Sequence, residues 1–171
     1  MSTNRFFISP SDIKDERVRL SPEQSHQVQH VLRLKVGDEI VVLDDSGTEY
    51  SVTLTKVDKR ETVGQVTSTQ QARGEPTAQV TLFQSMLMRE KFEWVLQKGT
   101  EVGISRFAPV LTARSLVRVK DVEDKKLDRW RRIVTEAAEQ SDRGRVPQID
   151  QIATFAESLS EMAGFDRCLI A

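Results

Sequence analysis

The sequence has one cysteine, Cys168, which excludes an internal disulfide and any cysteine-based metal cluster. No apolar run approaches the ~20 residues that a membrane helix needs. The opening Met1-Ser-Thr-Asn-Arg-Phe-Phe-Ile is too short and too quickly polar for a secretion signal. Gly-x-Gly-x-x-Gly and the phosphate loop are both absent, so the usual nucleotide fingerprints do not apply. Nor is there an excess of one charge: 25 basic residues stand against 26 acidic ones, a net charge of −1. Nucleic-acid binding would then rest on a local basic surface and not on a global field. What is present is ordinary for a soluble globular chain, with 38% hydrophobic and 30% charged residues. Its 171 residues allow one domain or two small ones. A cytosolic protein is the simple reading.

The first seventy or so residues read mostly as strands. Arg5 to Ser9 is a short apolar run ended by Pro10, and Arg17 to Leu20 alternates at period two. Ser21-Pro22-Glu23-Gln24 opens a helix, with Ser21 as cap and Gln24 completing a capping box. That helix puts Val28, Val31 and Leu32 on one face and should end near Gly37. Glu39–Leu43, Tyr50–Val57 and Glu61–Ser68 follow as strands, with turn chemistry at Asp44-Asp-Ser-Gly47. Short strands, one helix and tight turns suggest a small β-barrel over residues 1–72.

Gln70 to Thr77, with Gly74 and Pro76, lacks periodicity and reads as a linker. Beyond it, residues 78–171 alternate strand and helix. Val80–Phe83 and Phe107–Leu111 read as strands, and Arg89–Gly103 as a helix with Phe92, Val95 and Leu96 inward. A long helix over Val122–Gln140 carries the apolar stripe Leu127, Trp130, Ile133, Val134, Ala137 and Ala138. Thr154-Phe-Ala-Glu157 is a second capping box, and Arg167–Ala171 looks like a further strand. This alternation implies a mostly parallel sheet with helices on its faces.

The long helix also bears a polar stripe, Arg129, Arg132, Glu136, Gln140 and Arg143, at helical spacing. Taken alone it is a solvated face with an Arg132–Glu136 ion pair. The functional reading is a row of guanidinium forks for phosphates beside an amide able to read a base edge. Arg114 follows a strand at its C-terminal end, where open α/β sheets bind ligands, and suits an anion clamp or an ordinary loop. His26 and His30 have zinc-compatible spacing but no third ligand, so no metal is expected. Cys168 lies in an apolar strand and reads as core.

Several segments in order resemble one family. They are Arg5-Phe-Phe-Ile8, Val31-Leu-Arg-Leu-Lys-Val-Gly-Asp38, Gln97-Lys-Gly-Thr-Glu-Val-Gly103, Pro109-Val-Leu-Thr-Ala-Arg-Ser115, and Arg129 to Arg143 with Pro147. The chain is similar to the RsmE family of SPOUT-class methyltransferases, which modify N3 of a uridine in 16S ribosomal RNA. The resemblance implies an N-terminal PUA-like β-barrel that binds RNA and a C-terminal α/β domain with a trefoil knot. It further implies S-adenosylmethionine as methyl donor, the small ribosomal subunit as substrate, and a homodimer with the active site at its interface. The family's Gly-Pro-Glu-Gly-Gly loop and Leu-Arg-x-Glu-Thr-Ala segment do not occur here, so the cofactor site is expected beyond Ala171, and the chain is expected to be inactive alone. Met88 stands where the family has a lysine, a role open to Arg89 or Lys91.

Methylation of uracil N3 requires loss of an imide proton and in-line approach to a sulfonium methyl, which needs neither metal nor covalent nucleophile. The protein must position the partners and stabilise charge growing on the base. Arg114 and Arg143 are the expected phosphate or base contacts, with Glu136 and Gln140 orienting them. Arg5, Arg33 and Lys35, together with Arg129 and Arg132, would extend the RNA footprint. The alternatives from other classes are a non-catalytic RNA-binding module and a purely structural dimerisation protein.

Overall fold

The computed structural model describes residues 4–88, 90–115 and 124–170. They form two compact units, one of residues 1–75 and 138–146, the other of residues 76–137 and 147–171.

In the first unit, strands β1 (Arg5–Phe7), β2 (Ile13–Lys14), β3 (Arg17–Leu20), β4 (Glu39–Leu43), β5 (Thr48–Val57) and β6 (Thr62–Gln71) form one sheet in the order β1-β4-β5-β6-β3-β2. Every ladder is antiparallel except β1 on β4. No ladder joins β1 to β2 among the described residues, so the sheet is open where a closed barrel was expected. Strand β2 is only two residues long and offers little to pair. Period-two alternation puts Val18, Leu20, Ile40, Val42, Val52 and Leu54 on one face, where with Phe6 and Val28 they make the core. Gly64 on β6 is required by this packing, because a Cβ there would lie 2.2 Å from the Val52 side chain.

Helix α1 (Pro22–His26) starts as the capping box indicated: Ser21 Oγ accepts from the Gln24 N–H and the Gln24 side chain accepts from the Ser21 N–H. It then widens into a π turn over Gln27–Val31, closed by the Leu32 N–H donating to the Gln27 carbonyl at 2.9 Å. The extra residue in the turn shifts the helical phase. Val28 stays buried, whereas Val31, expected inward, is 67% exposed.

In the second unit, β7 (Thr81–Ser85), β8 (Arg106–Leu111), β9 (Gln148–Ile149) and β10 (Ala153–Thr154) form a wholly parallel sheet. Strands β9 and β10 pair successively along β8, opposite β7. Helix α2 (Glu90–Glu101) connects β7 to β8, and Arg89, expected to begin it, lies outside the described residues. Gly103 ends this segment in the left-handed region, φ 98°. Helix α3 (Asp124–Gln140) buries Trp130, Val134 and Ala137 from the expected stripe, and Trp130 meets Phe92 with ring centroids 4.6 Å apart. Leu127, Trp130 and Val134 are thus buried or half-buried within this unit. Val122 lies outside the described residues. Helix α4 (Phe155–Met162) opens with the Thr154–Glu157 capping box.

Residues 167–170 are not a strand: no described strand pairs with them, and Leu169 and Ile170 are fully exposed. Cys168 is exposed as well, in place of the core position expected.

Candidate functional site

The linker region turns out to anchor the first unit. Glu75 accepts from the Arg143 guanidinium at 3.2 Å through both Nε and Nη2, and from the N–H groups of Gly144 at 2.9 Å and Arg145 at 3.0 Å. Arg145 in turn donates to the Ser46 carbonyl, and the Val146 N–H to Asp45. Glu139, the residue before the last of helix α3, accepts from the Phe7 N–H at 2.9 Å. This explains why 138–146, far from the linker in sequence, joins the first unit. Arg143 is 2% exposed, and a guanidinium so buried beside a carboxylate is a fold-holding tie; the phosphate contact expected of it would need a surface it does not have. Arg5 is similarly engaged, donating to Glu49 at 2.7 Å with Asp142 3.6 Å away.

The remaining residues of the polar stripe divide. Arg129 makes a two-pronged contact with Glu93, both distances 2.7 Å, and this carboxylate holds its pKa above the ordinary value. Arg132 and Glu136 are exposed but do not form the expected ion pair among the described residues. Gln140 is exposed. The expected stripe therefore holds an ion-paired Arg129 and open polar groups on the helix and a buried Arg143 beyond its end, a distinction that spacing alone does not reveal.

At the C-terminal edge of β7 and β8 the second unit gathers hydroxyls. Thr112 Oγ1 lies 3.4 Å from Ser85 Oγ and 3.1 Å from Ser115 Oγ. The Thr112 N–H donates to Ser115 Oγ, and the Ser115 N–H returns to the Thr112 carbonyl. This closed turn presents Arg114 to solvent. Edges of this kind are where parallel α/β sheets bind ligands. Ser85 was not expected from sequence; the one signal for it is a small hydroxyl residue ending an apolar strand. Arg114 and Glu136, both in this unit, are not hydrogen-bonded to each other.

Arg33 and Lys35, in the first unit, are exposed and make no side-chain hydrogen bond or ion pair with described residues. Among the described residues no group of three or more His, Cys, Asp or Glu side chains is placed to hold a metal. No described helix is long and apolar enough to cross a membrane.

Two family models match the chain, and the second of them includes the 138–146 segment that the first unit captures. Residues 20–66 match the PUA domain of RNA methyltransferases, and residues 73–171 match the RNA methyltransferase domain. The chain belongs to this RNA methyltransferase family. Among its curated relatives, the ribosomal RNA small subunit methyltransferase E of Bacillus subtilis is 34% identical over 153 residues, covering 89% of this chain and 60% of that protein. The protein of the same name from Synechocystis is 36% identical over 160 residues, covering 94% of this chain and 51% of that protein. The chain thus spans about half to three-fifths of the length of these relatives. The small subunit methyltransferase E of Neisseria gonorrhoeae, solved with S-adenosylmethionine bound, superimposes with a TM-score of 0.83 at 28% identity, covering 94% of this chain and 65% of that one. A Legionella pneumophila protein solved with the same cofactor gives 0.85 at 25%, covering 94% and 67%. The expected resemblance to RsmE is borne out by these relatives.

Proposed function

We propose that this chain supplies the RNA-binding part and the substrate-facing edge of an enzyme that methylates N3 of a uridine in 16S ribosomal RNA of the small subunit. The observation that carries the reading is the Arg114 turn, closed by hydrogen bonds between Thr112 and Ser115 so that Arg114 faces solvent at the C-terminal edge of a parallel sheet, in a chain of the RNA methyltransferase family. The relatives support S-adenosylmethionine as donor, which brings the electrophilic methyl when bound. Arg114 places a permanent cation where charge grows on the uracil as its imide proton leaves. Glu136 is the candidate acceptor of that proton, and Arg132 and Gln140 contact the RNA from the same helix. Arg33 and Lys35 hold phosphates from the first unit. Arg5, Arg129 and Arg143 serve by fixing these elements.

The residues here do not by themselves make a cofactor site. The three hydroxyls satisfy one another, and the sequence has no glycine loop of the family's kind. We place that site, the trefoil knot and the homodimer contact in the further length of the relatives, and the enzyme in the cytoplasm. Residues 1–171 alone should therefore bind S-adenosylmethionine hardly at all, and micromolar affinity by calorimetry, about −8 kcal/mol, would contradict this. The test of the function itself is transfer of labelled methyl to isolated small subunits by the whole gene product. Arg114→Ala should lower transfer by about 1–3 kcal/mol of transition-state stabilisation. Unchanged transfer would remove Arg114 from the site.

A further inference from the structure

The segment from His26 to Val36 carries chemistry that the sheet edge does not use. His26 and His30 are both exposed, and across the π turn their rings pack with centroids 4.6 Å apart and planes tilted 40°. Neither ring makes a hydrogen bond with a described residue, so their pairing serves no evident internal network. Short π segments occur often at functional sites. Directly after this one, Arg33 is held in the left-handed region, φ 57°, between the Leu32 N–H bond to the Gln27 carbonyl and the Leu34 N–H bond to the Val28 carbonyl. Val31 and Val36, 67% and 63% exposed, are the exposed large hydrophobics of the first unit among its described residues. Buried Val28 alongside shows that the segment is anchored while its outer side stays open.

The charges around this surface are lopsided. Asp38 uses its carboxylate to accept from the Lys35 N–H at 2.7 Å, and no described acidic side chain pairs with the Arg33 or Lys35 cations. A metal does not fit, because no third ligand stands with the two imidazoles among the described residues. Flat rings, exposed aliphatic surface and unpaired cations side by side match the parts of single-stranded RNA: base face, ribose and phosphate.

We propose that His26 and His30 form a stacking platform for an unpaired nucleobase, with Arg33 and Lys35 taking the flanking phosphates, so that the first unit holds a single-stranded stretch of the RNA substrate. This rests on the reading of the protein as an RNA-modifying enzyme. A base inside a duplex keeps its faces stacked on its neighbours, so the platform selects RNA whose bases are splayed out.

Fluorescence anisotropy of the full chain with two labelled probes tests this: a short oligouridylate, and the same ribose-phosphate strand lacking bases. The unaltered chain should bind the oligouridylate more tightly. The double variant His26→Ala/His30→Ala should lose about tenfold in affinity for the oligouridylate, the scale of one lost stacking contact, and keep its affinity for the abasic strand. His26→Phe/His30→Phe should retain the preference, since the rings remain. Arg33→Ala/Lys35→Ala should weaken both probes together. A double alanine variant that loses nothing, or loses equally on both strands while melting like the parent, would overturn the platform and leave the RNA reading standing. If the unaltered chain bound neither strand, the RNA reading would fall and the platform with it.

Discussion

The two units bury cores of similar depth but treat their apolar remainder differently. Among the described residues, the first leaves only Val31 and Val36 as large exposed hydrophobics, one ending the π turn and the other five residues on. The second leaves Val80, Met88, Trp94, Val102, Phe155, Leu159, Leu169 and Ile170 exposed. An antiparallel sheet tolerates water on one face, so the first unit meets its burial needs with a single core. A parallel sheet needs cover on both faces, and the helices described here do not cover every apolar group. Residues in the second unit should therefore open at lower free energy than those in the first, a difference that native-state hydrogen exchange reads directly. Equal protection in both would break the comparison.

The largest single effect should come from Trp130→Ala. The ring is fully buried against Phe92, and its removal should cost about 3–5 kcal/mol, with denaturation followed by exchange showing the loss confined to the second unit. Next is Glu75→Ala in the first unit. It removes the carboxylate that accepts from the buried Arg143 guanidinium and from two backbone N–H groups, an expected loss of about 3 kcal/mol in urea unfolding. A loss below about 1 kcal/mol would mean that the 138–146 segment is only loosely tied to that unit.

Gly99→Ala is the intermediate case. A Cβ there would come within 2.6 Å of the Phe107 ring, so although alanine favours helices, the substitution should destabilise by about 1–2 kcal/mol. A stabilised variant would show that the second core has room to relax. The smallest effect lets the two units be compared with the same device. Ser21→Ala and Thr154→Ala each delete one capping box, at about 1 kcal/mol apiece by thermal melting. A markedly smaller cost at Thr154 would sharpen the contrast, since a cap on a frayed helix stabilises little.

Local grammar was enough to identify much of this. Alternation located most of β5, short apolar runs located β4 with its bounds and most of β6, capping boxes located the starts of α1 and α4, and the apolar stripe of α3 was the buried one. These patterns depend on neighbours in sequence, which the reader of a sequence has. The ordered family segments likewise carried the likeness to an RNA methyltransferase. Arg114 was legible as an exposed cation because it sits in a turn that follows a recognisable strand, whereas Arg33 and Lys35 lie beyond a helical segment that ends at Val31 and not near Gly37 as expected.

Only the tertiary structure separated Arg143 and Arg5 from the other arginines. Their partners, Glu75 and Glu49, lie 68 and 44 positions away, and a guanidinium in a polar stripe looks the same whether it meets water or a buried carboxylate. The π turn was equally hidden: no local breaker residue marks it, and Val28 within it and Leu32 just after it pack against the sheet's core. Val31, also within it, faces outward. The open order of the first sheet, and the capture of 138–146 by the first unit, were also decided by ladders and hydrogen bonds between segments far apart in the chain. Periodicity reports which face of an element is apolar; which other segment meets that face is settled by long-range contacts that leave no mark at any fixed spacing.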